Sequence, residues 1–88
     1  MPKKERKQEK EIKFEIINAL GVVSAGTKGW KKELNRISWN GAEPKYDIRD
    51  WNETHDKMGK GITLTEDELR SLKSLLDEEI RFLDSGDI

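Results

Sequence analysis

Cysteine is absent from this chain, so neither a disulfide framework nor a thiolate zinc site can stabilise it. Histidine occurs once, too little to build a zinc site, and no calcium-loop spacing is present. No apolar run approaches the roughly 18 residues of a membrane span, and the N-terminal region lacks the hydrophobic segment of a secretory signal. The expectation is a soluble, cytoplasmic protein with no membrane partner, nucleoid association included. Apolar residues are also scarce, at 33% against 40% charged. Eighty-eight residues make a single small domain, and as a monomer it has little apolar surface to offset the entropy of folding. With covalent and metal staples excluded, oligomerisation is the remaining source of stability.

The formal net charge of -1 hides a segregation. Residues 1–13 carry six basic and three acidic side chains, residues 14–61 eight and seven, and residues 62–88 three and eight. Local fields rather than totals steer binding, so the near-neutral sum does not exclude a polyanionic ligand.

Three domain segments follow: a disordered basic tail over 1–13, a folded domain over 14–83 and a flexible C-terminus over 84–88. "FEIINALGVVSAG", from Phe14, is rich in Ile and Val and predicts a strand, with Phe14 and Ile16 on one face and a bulge near Gly21. "SAGTKG" is a turn. "WKKELNRISW" (Trp30 to Trp39) also fits a helical period, but the Asn-Gly of "NGAEP" after it is a strong hairpin signal. Residues Trp30 to Trp39 and Lys45 to Trp51 are therefore read as paired antiparallel strands. "GITLT" is a fourth strand. Thr65 and Glu68 then form a capping box opening a helix to about Phe82. Leu69, Leu72, Leu76, Ile80 and Leu83 make one apolar stripe on it. One helix covers only part of one face of a four-stranded sheet, so this stripe is the candidate homodimer interface.

No catalytic constellation is visible, and neither a metal nor a cofactor is implied. His55 lies in a polar loop beside Asp56 and reads as a solvated residue rather than a general base. "GTKG" lacks the GxxxxGK[ST] spacing and leads into a strand, so it reads as a hairpin turn. The helix carboxylates read as a solvated face.

What remains is a mixture of cations and rings. "KYDIRDW" (Lys45 to Trp51) alternates Tyr46 and Ile48, expected in the core, with Lys45, Asp47, Arg49 and Trp51, expected on the wet face. Lys28, Lys31, Lys32 and Arg36 lie near Trp30 and Trp39, and Lys57 and Lys60 follow in the next loop and strand. Single-stranded nucleic acid needs both groups: cations along the phosphates and flat rings on which unpaired bases stack. A duplex hides its base faces. A protein-interaction module using the acidic helix and a single-stranded-RNA binder are the alternatives.

With "WNG", "DIRDW" and "KGITLTEDELRSLK" placed in order, residues 14 to 83 resemble the single-stranded-DNA-binding domain of transcriptional positive cofactor four. The likeness is greatest to its short bacterial relatives of the YdbC type. The resemblance implies an α+β fold: a curved four-stranded antiparallel sheet followed by one C-terminal helix, homodimeric through the helix region. It also implies non-enzymatic binding of single-stranded DNA with little sequence preference, with roles in transcription, replication or repair. Trp39 falls at the family's stacking aromatic, Arg49 at its DNA-contacting arginine and Lys60 at a basic residue before the Gly-Ile strand. The Asp-Ile-Arg pattern implies that Asp47 holds Arg49 in position. Two departures stand out: Asn52 follows Trp51 where the eukaryotic pattern has a second ring, and "NGAEP" is one residue longer. The expected DNA-binding set is Lys28, Trp30, Lys32, Arg36, Trp39, Lys45, Arg49, Trp51, Lys57 and Lys60.

Overall fold

The computed structural model describes residues 12–86. Most of the expected basic tail, and residues 87–88 of the expected flexible C-terminus, lie outside the described residues. Five elements follow in order: β1 (Phe14–Ala25), β2 (Lys31–Trp39), β3 (Lys45–Trp51), β4 (Met58–Leu64) and α1 (Glu66–Ser85). The strands pair antiparallel in sequence order, as one open sheet followed by a single helix.

Local chemistry accounts for the punctuation. At the β2–β3 turn Asn40 (φ 52) and Gly41 (φ 77) are both left-handed, and the Ala42 amide donates to the Trp39 carbonyl at 2.9 Å. Positive φ at both central residues is the hairpin geometry that Asn-Gly favours. The expected bulge at Gly21 is present, as one of three register shifts between β1 and β2, and bulges of this kind bend a strand and increase its twist. β4 begins at Met58, earlier than the expected Gly61, with a further shift opposite Arg49 to Trp51. Gly61 is required by that pairing, because a Cβ there would collide with the Arg49 Cβ and the Ile48 carbonyl.

The helix starts as its sequence predicts. The Thr65 hydroxyl accepts from the Glu68 amide at 3.2 Å, and the Thr65 amide donates to the Glu68 carboxylate at 2.8 Å, closing the capping box. It runs three residues past Phe82 and stops at Gly86, whose φ of 75 suits a left-handed cap.

Register assigns the two faces of the sheet, since directly opposed residues project to the same side. One face carries the rows Lys31, Trp51 and Met58; Glu33, Arg49 and Gly61; Asn35, Asp47 and Thr63. The other carries Leu34, Ile48 and Ile62, then Arg36, Tyr46 and Leu64. The period-two reading of "KYDIRDW" is correct, but its assignment of core and wet faces is reversed. Ile37, Trp51 and Asp47 are fully buried, all on the first face, whereas Tyr46 and Ile48 are only half-buried on the second. Phe14 from the edge strand makes this possible, with its ring 5.1 Å from that of Trp51 and 5.8 Å from that of Trp39.

Helix α1 lies against the second face and touches only β3 and β4. Leu69 and Leu72 are half-buried beside Tyr46, while Leu76, Ile80 and Leu83 remain about half exposed. A groove of about 520 Å³ runs along this stripe between the helix and Tyr46. No helix residue is buried, as expected when one amphipathic helix is asked to cover part of a four-stranded sheet.

Candidate nucleic-acid interface

The first face combines a few solvent-accessible groups with a polar network beneath them. At its centre is Asp47, whose carboxylate has no exposure. Arg49 Nε donates to Asp47 Oδ1 at 2.6 Å and Nη2 to Oδ2 at 2.8 Å, a two-pronged match between guanidinium and carboxylate. Thr63 on β4 donates its hydroxyl to Asp47 Oδ2 at 3.0 Å. Asp47 and Arg49 lie two apart on β3, so their side chains point the same way and meet without a turn. The pair fixes the guanidinium plane, whose Cζ sits 4.8 Å from the Trp39 ring centroid. Within about 6 Å, a cation over an indole face is attracted by the ring quadrupole.

A groove of about 320 Å³ opens beside this stack, lined by Ile12, Trp39, Asn40, Arg49, Met58 and Thr63. Trp39 is half-buried rather than enclosed. Its indole N–H and that of Trp51 are buried with no hydrogen-bond partner among the described residues, a cost of about 1–3 kcal/mol each.

The expected binding residues do not all converge. Trp39, Lys45, Arg49 and Trp51 share the first face by register, and Lys31 joins them. Lys32 and Arg36 fall on the opposite face, where Lys32 Nζ reaches Asp50 at 3.4 Å and Arg36 donates to Asn18 at 3.2 Å. Counting back by twos from Trp39 reaches Lys31, so this parity was readable from the strand alone. Trp51 is not an exposed platform, because Phe14 and His55 close over it. Trp30 is half-buried just before β2, and Lys28 (φ 55) lies in the β1–β2 turn. Lys57 is exposed in the β3–β4 loop and Lys60 sits in the bulged start of β4.

His55 also departs from expectation. It is not a free loop residue: Nε2 lies 3.0 and 3.1 Å from the two Glu33 carboxylate oxygens, and its ring is 5.4 Å from that of Trp51. Glu33 is itself buried, and Asn35 Nδ2 donates to it at 3.0 Å. Burial pushes the Glu33 carboxyl up, but the Asn35 and His55 bonds and the charges of His55 and Lys31 outweigh it. The net result is a pKa below the ordinary carboxylate value. Glu33, Asn35 and Thr63 were missed because nothing local marks them. Glu33 finds His55 in a distant loop and Thr63 finds Asp47 across the strands, while Asn35 bonds Glu33 two residues away on β2.

An antiparallel sheet followed by one helix, with a face joining a half-buried indole to a clamped arginine, defines a small α+β type of domain. The comparisons specify which one: residues 27–75 match the family described as Transcriptional Coactivator p15 (PC4), and the chain belongs to that family. Its domain is a nucleic-acid-binding, non-catalytic one that binds single-stranded DNA generally. The chain is also similar to an uncharacterized protein of Treponema pallidum (strain Nichols), 47% identical over 64 residues, covering 73% of this chain and 75% of that protein. Among the described residues no helix is long and apolar enough to cross a membrane.

Proposed function

We propose that the chain binds single-stranded DNA with little sequence preference, as a homodimer, and serves transcription regulation, replication or repair. The observation that carries this reading is the Arg49 guanidinium, held by buried Asp47 and layered on the half-exposed Trp39 ring beside an open groove. A base stacks on Trp39 while Arg49 meets its phosphate. Such stacking contributes about 1–3 kcal/mol per base and is tolerant of sequence. Lys28, Lys45, Lys57 and Lys60, all exposed, extend the phosphate contacts. Trp51 supports the surface from beneath, and Trp30 flanks it. The stripe Leu69, Leu72, Leu76, Ile80 and Leu83, whose last three members are about half exposed, supports dimerisation, because a second copy laid on it removes apolar surface from water at about 25 cal/mol per Å².

Titration of oligo-dT, read by intrinsic Trp fluorescence at several salt concentrations, tests the reading. Single-stranded ligands lose about 0.7 in the log-log salt slope for each phosphate neutralised, so five cations per protomer predict a slope near -3.5. Absent or salt-independent binding would refute it. Competition with matched RNA separates the DNA and RNA forms of the reading. A monomeric mass in solution at micromolar concentration would refute the dimer.

A further inference from the structure

The candidate face carries two carboxylates where a ligand rich in phosphate is expected, and they are neutralised differently. Asp47 has Arg49, a permanent cation, on both of its oxygens. Glu33 has His55, which is charged only when protonated, and no other ion pair reaches Glu33 among the described residues. We propose that His55 is a positioning residue of this face: its protonation cancels the Glu33 charge and thereby tightens the binding of a polyphosphate strand. The inference rests on the reading of this face as the nucleic-acid surface.

The geometry is prepared for a change of charge without a change of shape. Nε2 faces two carboxylate oxygens at 3.0 and 3.1 Å, both acceptors, so it carries a hydrogen in either state of the ring. The proton gained at low pH therefore goes to Nδ1, and the contact with Glu33 persists as an ion pair. The loop is held to receive it. The Asn52 amide donates to the Lys57 carbonyl, and the His55 amide to the Asn52 carbonyl, each at 3.1 Å. Asn52 Oδ1 accepts from the Lys57 amide at 3.1 Å, and the Asn52 side-chain amide donates to Asp56. His55 itself sits at φ 62, in the left-handed region where His, like Asn and Asp, is found more often than other residues with a side chain.

Charged neighbours are few. From β2 the ring meets Glu33 with Lys31 next on the same face, and from β3 Arg49 is the register partner of Glu33. On its own loop, Asp56 and Lys57 follow it and Glu53 precedes it, packing near Gly29. From β1 and β4 the residues opposite are Val22 and Gly61, which carry no charge. Lys31, Lys45 and Arg49 against Glu33 and Asp47 leave this face with one net positive charge, which the imidazolium doubles.

The sign follows from linkage. A polyanion favours the protonated ring, so affinity rises as pH falls through the imidazole's titration and the gain is lost as pH rises above it. Each unit by which bound ligand raises the imidazole pKa is a tenfold gain in affinity at low pH. His55 is the only histidine, hence the only side chain whose ordinary titration lies between about pH 5 and 8.

The experiment is oligo-dT titration of the full chain at about pH 8 and about pH 5.5, at fixed ionic strength. Affinity should be about three- to tenfold tighter at the lower pH. His55→Asn, a residue that tolerates positive φ, should flatten the profile, whereas Glu33→Gln should bind more tightly than wild type at the higher pH and keep a gain at the lower one, because the ring still adds a charge on protonation. Proton NMR of the His55 ring should show its midpoint moving up when oligo-dT is added. Binding with a flat wild-type profile, a His55→Asn variant that keeps the wild-type slope, or an unmoved midpoint would each overturn the inference alone. No binding at any pH would overturn the nucleic-acid reading and this inference together.

Discussion

Trp51→Ala offers the sharpest test of how this domain is held together. The side chain has no solvent exposure, and its ring lies 5.1 Å from Phe14 and 5.4 Å from His55. Ile37 is the only other fully buried apolar residue among those described, so removing the indole deletes much of a very small core. Large-to-small changes of this kind cost about 3–5 kcal/mol, the lost transfer energy plus the cavity left behind. Against a total of about 4–13 kcal/mol for a chain of this length, that leaves a marginal fold. Trp51→Phe keeps a ring against Phe14 and removes an indole N–H that has no acceptor among the described residues, so its cost should be smaller, about 1–2 kcal/mol. Urea unfolding followed by far-UV circular dichroism, at one fixed protein concentration, measures both. Because a dimer's stability depends on concentration, that control is essential. A Trp51→Ala protein within about 1 kcal/mol of wild type that has lost oligo-dT binding would show the ring to be a stacking platform, and the packing argument would fail.

Three further outcomes follow from other parts of the sheet. Arg49→Lys keeps the charge but cannot grip both Asp47 oxygens; it should lose about 1.5–3 kcal/mol and weaken oligo-dT binding, measured by unfolding and by titration. Equal affinity would remove the planar fork from the explanation. Gly61→Ala should destabilise by about 1–3 kcal/mol or disrupt the β3–β4 pairing, seen as faster amide exchange on β4, because its Cβ meets the Arg49 Cβ and the Ile48 carbonyl. Unchanged exchange would contradict that close approach. Glu33 is held below its ordinary pKa in the folded state, so it contributes stability above the ordinary carboxylate range that is lost as pH falls through the folded value. Glu33→Gln should therefore flatten the acid limb of the stability curve, and an unchanged limb would refute the assignment.

Much of the fold was legible because its signals are local. Asn40-Gly41 announces a hairpin through positive φ at adjacent residues, and Thr65 with Glu68 announces a helix through a reciprocal cap three residues apart. The family's order of strands and helix is likewise present. The interface was legible only in part. Alternation in "KYDIRDW" separates the two sets of side chains but does not say which faces inward. Charge suggested that Lys45, Asp47 and Arg49 mark water, yet Asp47 and Arg49 satisfy each other and can be covered. Trp51 in turn is covered by Phe14 and His55, one on the far edge strand and one in a loop, and no local pattern records that they meet. His55 and Glu33 are 22 residues apart, which hides the contact that gives the histidine a partner.

The β2–β3 turn does one more thing than reverse the chain. The Asn40 amide donates to the Lys13 carbonyl at 2.7 Å, and the Lys13 amide donates to the Asn40 side chain at 3.1 Å, so the turn grips the chain just before β1. Ile12, immediately upstream, lines the groove beside Trp39 and Arg49. For the experimenter this fixes where labels belong. A fluorophore attached at Ile12 itself would sit in the lining of the candidate groove, where it competes with an oligonucleotide for space. A label on exposed Asn40 would crowd the same groove.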